Sequence, residues 1–221
     1  MIQEKPSPTI EDYLQAIYNL ADDGDSVVSA RLARRMGVTP PSAWAAVRRM
    51  LRDGLVELDT KKAISLTHKG KDWAESTVRR HRLAERFLTD ILGLGWVEVH
   101  EEAHRFEHAI SPRLEERIFS ILNNPTTCPH GSPIPGSTTS VPGNLKPMDT
   151  LQPGDAATIG IVSEELEVDS ALLHYLERGQ IMPGRNIRVI EKAGGVIIVE
   201  VEQGPVPIGL DVAAKILVRP E

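Results

Sequence analysis

The sequence predicts a mainly α N-terminal region built around a winged helix-turn-helix, a helical domain behind it, and a small β-barrel at the C-terminus. Three observations carry this. SARLARRMGVTPPSAWAAVRRMLRDGLVEL contains two sets of helix start and stop signals. LVELDTKKAISLT alternates apolar and polar residues about a turn. Residues 123–147 are rich in Pro, Gly, Ser and Thr, and short strand patterns follow them. With 221 residues the chain has room for more than one small domain.

In TIEDYLQAIYNLADDG, Thr9 is the expected cap of the first helix, Ile10, Leu14, Ile17 and Leu20 or Ala21 form its apolar stripe, and Gly24 stops it. Ser29 is the expected cap of a short second helix that Gly37 ends in a left-handed residue. Thr39 then caps a third helix, Pro40 takes its tolerated first position, Ala43, Val47, Met50 and Leu51 give its apolar stripe, and Gly54 closes it. Two helices joined by so short a turn make a helix-turn-helix, whose second helix presents its N-terminal residues to base edges. Pro41, Ser42 and Trp44 are the candidates for groove contact, with Thr39 beside them. The alternation after Gly54 reads as a hairpin turning at Asp59 to Lys62, a wing with Lys61 and Lys62 at its tip.

The net charge of -6 taken as a total argues against nucleic acid, but its distribution does not. Residues 31–71 hold ten Lys or Arg against three acids, a balance of +7, which leaves -13 for the rest. Such asymmetry is the footprint of a surface that meets phosphate. Arg31, Arg48, Arg49 and Arg52 join the wing lysines as candidates. No apolar run approaches the roughly 18 residues of a membrane span, the N-terminus lacks the pattern of a signal peptide, and a single cysteine forms no intrachain disulfide. The expectation is a cytoplasmic protein.

GKDWAESTVRRHRLAERFLTDILGL reads as a long helix with Trp73, Val78, Leu83, Phe87, Leu88 and Ile91 among its apolar positions. His81 and Glu85, spaced i and i+4, share one side of it. HEEAHRFEHAI then packs three histidines and three glutamates into residues 100–110. Read as one helix, it places His100, His104, Glu107 and His108 on one stripe. Imidazole with carboxylate suits borderline to hard divalent ions. Glu98, Glu101 and Glu102 read as solvated. HRFEH also matches the inverted zincin pattern, in which two histidines hold zinc and the glutamate serves as base. Nothing after residue 111 supplies the further ligand such a peptidase needs, since SPRLEERIFSILN is an ordinary amphipathic helix.

HRLAERFLTDILGL, HEEAHRFEH and CPHGSPIPG, in that order behind a winged helix, resemble the diphtheria toxin repressor family of iron- or manganese-responsive transcriptional regulators. The resemblance covers nearly the whole chain. It implies four parts: a winged helix-turn-helix at 1–72, a helical dimerisation and metal-binding domain at 73–124, a linker at 125–147, and an SH3-like domain at 148–221. It also implies a primary metal site of Asp12, His104, Glu107 and His108, with His81 a further candidate. Asp12 favours the manganese type, because iron-type members usually carry methionine there. His104 departs from the family's usual cysteine or glutamate, and Gln15 from a glutamate of the manganese type. For an ancillary site two versions compete. One uses His81, Glu85 and His100 with acids of the C-terminal domain; the other uses Glu85, Cys128 and His130 with Asp169.

The implied protein is a cytoplasmic homodimer that binds a palindromic operator in double-stranded DNA once loaded with Mn2+ or Fe2+, with Zn2+ able to substitute in vitro, and that represses metal-uptake genes. The alternatives are the peptidase and a winged-helix regulator indifferent to metal. In the C-terminal part, AATIGIVS, NIRVIEK and GVIIVEVE read as strands, with Pro-Gly turns at 153 and 183 and one helix near VDSALLHYLERG. From residue 148 onward six basic residues face twelve acids, which sets this part apart from the DNA-binding one.

Overall fold

The computed structural model describes residues 5–22, 24, 26–137 and 143–221. The chain divides into two compact units, 1–80 and 81–221.

In the first unit, helix α1 (Pro8–Asp22) buries Ile10, Leu14, Ile17 and Leu20, as its periodicity predicts, and leaves Ala21 exposed. It starts one residue before Thr9, and the Ile10 and Glu11 amides donate to the Ser7 carbonyl, so Thr9 is not its cap. Helix α2 (Ser29–Arg35) also differs. Val28 holds the capping position and makes no side-chain bond, which puts Ser29 inside the first turn. Gly37 has φ +63°, the left-handed conformation expected of the turn.

Helix α3 (Pro40–Arg52) follows the sequence reading closely. The Thr39 hydroxyl accepts from the Ser42 amide, a cap worth about 1 kcal/mol. Ala43, Val47 and Met50 are fully buried. Strands β1 (Val56–Leu58) and β2 (Ile64–Leu66) pair antiparallel, Glu57 opposite Ser65. Asp59 shapes their turn by accepting from the Lys61 and Ala63 amides at 2.8 and 2.7 Å. Helix α4 (His68–Asp90) runs through the boundary between the units.

The second unit continues with α5 (Val99–Phe106), a 3-10 turn at Glu107–Ala109, and α6 (Pro112–Ile121), which Ser111 caps. Leu83, Ala84, Leu88, Val99, Ala103, Ile110 and Ile118 form the helical core, which Ile134 from the Pro/Gly-rich segment completes. That segment is tied down as well as irregular. Thr127 and Pro133 form a β-bridge, and their carbonyls accept from Arg86 and Arg82 of α4.

The C-terminal part contains β3 (Lys146–Pro147), β4 (Ala156–Val162), α7 (Glu164–Glu167), α8 (Ser170–Arg178), β5 (Asn186–Ala193), β6 (Val196–Val201), β7 (Gly204–Gly209), α9 (Leu210–Ala213) and β8 (Ile216–Pro220). The strands form one antiparallel sheet in the order β3-β8-β4-β5-β6-β7. Irregularities at Ile159/Ile161 and Val189/Glu191 are of the kind that bend a sheet. Trp96 and Val97, from the turn between α4 and α5, belong to the core of this sheet. The helical and sheet parts of the second unit thus share their packing.

Candidate metal centre and nucleic-acid interface

The face of α3 opposite its buried stripe exposes Pro41, Ser42, Trp44, Arg48, Arg49 and Arg52. Thr39 is exposed at the start of this face, its hydroxyl 2.9 Å from that of Ser42. Arg31 is half-buried and reaches the Ser26 carbonyl. Lys61 and Lys62 are exposed at the hairpin tip. A recognition helix and a wing in this arrangement suit a groove and its flanking phosphates. Arg48→Ala or Lys61→Ala is therefore expected to weaken DNA binding on every sequence and to flatten its salt dependence by about one charge, readable from a salt titration. An unchanged slope would remove these residues from the interface.

The histidine cluster feeds two groups. His100 and His104 share a face of α5 at i and i+4, and Glu107 and His108 follow in the 3-10 turn at Glu107–Ala109; His104, Glu107 and His108 fall in one group and His100 in another. In the first group His104, Glu107 and His108 have ligand atoms within 4.8 Å of one another. Glu107 is fully buried, with Oε1 at 3.6 Å from both His104 Nδ1 and His108 Nε2. No hydrogen bond reaches that Oε1. Its other oxygen accepts from His81 Nδ1 at 2.5 Å.

His81 is the link to the second group. Its Nε2 stands 3.2 Å from both Glu85 Oε1 and His100 Nδ1, and Glu167 Oε2 lies 2.9 Å from His100 Nδ1. Glu85 also belongs to a third group with Cys128 and His130, all three buried. His130 Nδ1 is 3.5 Å from Glu85 and 3.5 Å from Glu167. Local backbone fixes this ring. Gly131 has φ +91°, and a Cβ there would lie 2.0 Å from the Gly160 carbonyl oxygen, so CPHG closes against β4 only with glycine. The His130 carbonyl then accepts from the Val162 amide.

The structure brings together both ligand sets implied for the ancillary site, with Glu167 as the C-terminal acid beside the first, but not Asp169 of the second. Asp169 is exposed and caps α8 by accepting from the Leu172 amide. The buried acid is Glu167, on a short helix that the sequence does not announce. His81 is fully buried.

The electrostatics fit a cation. Burial alone would lower the His100 pKa, but hydrogen bonds to Glu167 and Glu85 outweigh it and raise it to about 9. Burial opposes a charge on His81 and His130 as well, yet the neighbouring glutamates hold both well above the ordinary histidine value. Burial would raise Glu107, but His81 and then His104 bring it down to about 2. Burial and then the Glu85 charge push the Cys128 thiol up. Protons on the imidazoles thus act as counterions to the glutamates in the chelated protein.

The sign of the pH dependence follows. Protonated His100 stabilises the fold fully below its ordinary 6.5, and that contribution is lost as pH rises through about 9. Ionised Glu107 contributes above 4.5 and loses its contribution as pH falls towards about 2. Urea unfolding of chelated protein should show stability declining between pH 6.5 and about 9, while metal affinity rises over the same interval as protons leave. Flat profiles would contradict the assignment.

A family model described as "Iron dependent repressor, N-terminal DNA binding domain" matches residues 5–64. Another, "Iron dependent repressor, metal binding and dimerisation domain", matches 67–136, and an FeoA domain matches 146–220. The iron-dependent repressor IdeR of Mycobacterium tuberculosis is 37% identical over 201 residues, spanning 86% of this chain and 87% of that protein. The chain belongs to the iron-dependent repressor family. A second member, the diphtheria toxin repressor of Corynebacterium diphtheriae, is 35% identical over 86% of this chain and 88% of its own length. The solved structure of a manganese-dependent transcriptional repressor in complex with manganese aligns with a TM-score of 0.86 at 35% identity, covering 96% of this chain and all of that one. The iron-dependent repressor family consists of metal-dependent transcriptional repressors, and this chain carries the family's DNA-binding, metal-binding and SH3-like parts in order. No helix among the described residues is long and apolar enough to cross a membrane.

Proposed function

We propose that the chain is a cytoplasmic, non-enzymatic repressor of metal-uptake genes that grips a palindromic operator as a homodimer when Mn2+ or Fe2+ is bound, Zn2+ substituting in vitro. The observation that carries this is the buried Glu107 carboxylate, facing His104 and His108 with one oxygen that no hydrogen bond occupies. A bound divalent cation supplies the positive charge such a carboxylate and two imidazoles converge on. Asp12, half-buried on α1, is the ligand that family resemblance assigns from the DNA-binding domain. We assign the parts to 1–72, 73–124, 125–147 and 148–221.

The donor set, nitrogen and oxygen without sulfur, favours manganese or iron(II) at this first group. Against a peptidase stands the role of Glu107. It is held by His81 and shared between His104 and His108, which fits a ligand better than a free base. For dimerisation, the helical domain leaves Ile91, Leu92, Leu114 and Ile121 exposed, a surface that suits a second copy.

The test is operator binding by the full chain with chelator and with each ion. Asp12→Ala and His108→Ala should each remove the metal-dependent gain in affinity. Retention of that gain in both variants would end the proposal, and hydrolysis lost on Glu107→Gln would replace it with the enzyme reading.

A further inference from the structure

The exposed face of α3 carries no bidentate base reader in its first two turns. Arginine on guanine, and asparagine or glutamine on adenine, are the side chains that grip a base edge through two hydrogen bonds. Residues 40–46 read PPSAWAA and include none of them. Their exposed members are Pro40, Pro41, Ser42, Trp44 and Ala45, while Ala43 is fully buried. The first arginine of the helix is Arg48, in its third turn, whereas a recognition helix meets base edges with its N-terminal residues.

Ser42 is the polar exception, and it is engaged. Its hydroxyl lies 2.9 Å from that of Thr39, and its amide donates to the Thr39 hydroxyl. Pro41, Ala45 and Arg48 run along the middle of the face at i, i+4 and i+7, so the centre of the second turn offers a groove only a methyl group. Trp44 stands beside it. At 37% exposure it is the one large apolar side chain of α3 left open to solvent.

What such a surface can read is set by the chemistry of the major groove. The apolar mark on a base edge there is the C5-methyl of thymine, which small apolar and aromatic side chains recognise by contact. An indole ring has the area to bury that methyl, which the Ala45 side chain alone lacks. The later arginines and the wing lysines then supply affinity for phosphate and carry no sequence information.

We propose that Trp44 is a specificity-determining residue of this repressor and reads, by apolar contact, the C5-methyl of one thymine in each operator half-site. The proposal rests on the DNA-binding reading above and adds to it what the recognition helix selects.

The test starts from duplexes that the full-length chain with Mn2+ selects from a random-sequence library at fixed salt. Each thymine of the selected site is replaced, one at a time, by deoxyuridine, which pairs identically and lacks only the methyl. One position in each half-site should respond, with binding about four-fold weaker for one replacement and about fifteen-fold for both, the value of a buried methyl. In Trp44→Ala, with folding checked by circular dichroism, the thymine-to-uracil affinity ratio at that position should fall to about one, and Trp44→Phe should restore most of it. Arg48→Ala should weaken thymine and uracil duplexes equally, as a phosphate contact does. A chain that selects no sequence, a selected site without thymine, or a ratio that Trp44→Ala leaves unchanged would overturn the proposal. If selection and the Trp44-dependent ratio are the same with chelator as with Mn2+, the metal-dependent reading fails and this one stands. If Mn2+ tightens binding but the ratio ignores Trp44, this inference alone fails.

Discussion

Glu107→Gln is expected to abolish the metal-dependent part of DNA affinity while leaving the fold in place. The amide keeps the shape of the side chain but removes a charge that both His104 and His108 face. Allosteric couplings of this kind typically amount to about 1–3 kcal/mol, a factor of about 5–150 in affinity. That factor should collapse towards one, and the remaining binding should be weak, insensitive to chelator and strongly dependent on salt, because the arginines of α3 and the wing lysines are untouched. The measurement is a DNA titration at fixed salt with and without Mn2+. A variant that keeps the wild-type ratio would show that Glu107 is structural only.

The largest expected effect on stability lies in the first unit. Arg80 Nη2 donates to Glu11 Oε1 at 2.7 Å, and the two residues are 6% and 0% exposed. Arg80 also donates to Ser76 Oγ and Thr77 Oγ1, so the guanidinium is held by α4 as well as by α1. Arg80→Ala removes the buried cation that Glu11 pairs with and leaves Lys5, half exposed, at 3.4 Å. Breaking such a pair from one side costs about 3–5 kcal/mol, whereas replacing both partners with apolar residues of similar volume is often neutral or better. Urea unfolding of Arg80→Leu, Glu11→Leu and the double Leu variant forms a cycle that separates the two terms. A loss below about 1 kcal/mol for Arg80→Ala would mean that water or a rearranged Lys5 satisfies Glu11.

How much was legible in the sequence depended on the range of the interactions involved. Helix α3 and its hairpin could be read closely because their determinants are local: the Thr39 cap, Pro40, the left-handed Gly54 and the Asp59 turn. The caps proposed at Thr9 and Ser29 failed for the complementary reason. Ser and Thr compete with neighbouring residues for a helix start, and Ser7 and Val28 hold the positions instead. The histidine cluster was legible as a candidate metal site by composition and by its i, i+4 spacing. Its division into two ligand groups was not, because Glu85 and Glu167, which stand against His100, come from other elements.

Longer-range pairings were legible only in part. His81 was a plausible ligand by its i, i+4 spacing with Glu85, but its full burial depends on α5 and residues far along the chain. Glu167 could not be separated from its acidic neighbours in SEELEVD, because burial alone distinguishes it from Asp169. The Arg80–Glu11 pair joins residues 69 apart and carries no motif. The segment around CPHG reads compositionally as a linker. Its hydrogen bonds to Arg82 and Arg86, and the buried Cys128, His130 and Ile134, make it part of the second unit's interior.

The most direct test of metal-controlled DNA binding is a closed thermodynamic cycle on the wild-type chain. Operator affinity is measured with chelator and with saturating Mn2+, and Mn2+ affinity is measured with and without operator, at one salt concentration. Linkage requires that the factor by which metal tightens DNA equals the factor by which DNA tightens metal, expected in the range of about 5–150. Equal factors above one, both lost in His108→Ala, are the predicted result. DNA affinity unchanged by chelator, with Mn2+ affinity unchanged by operator, would contradict it.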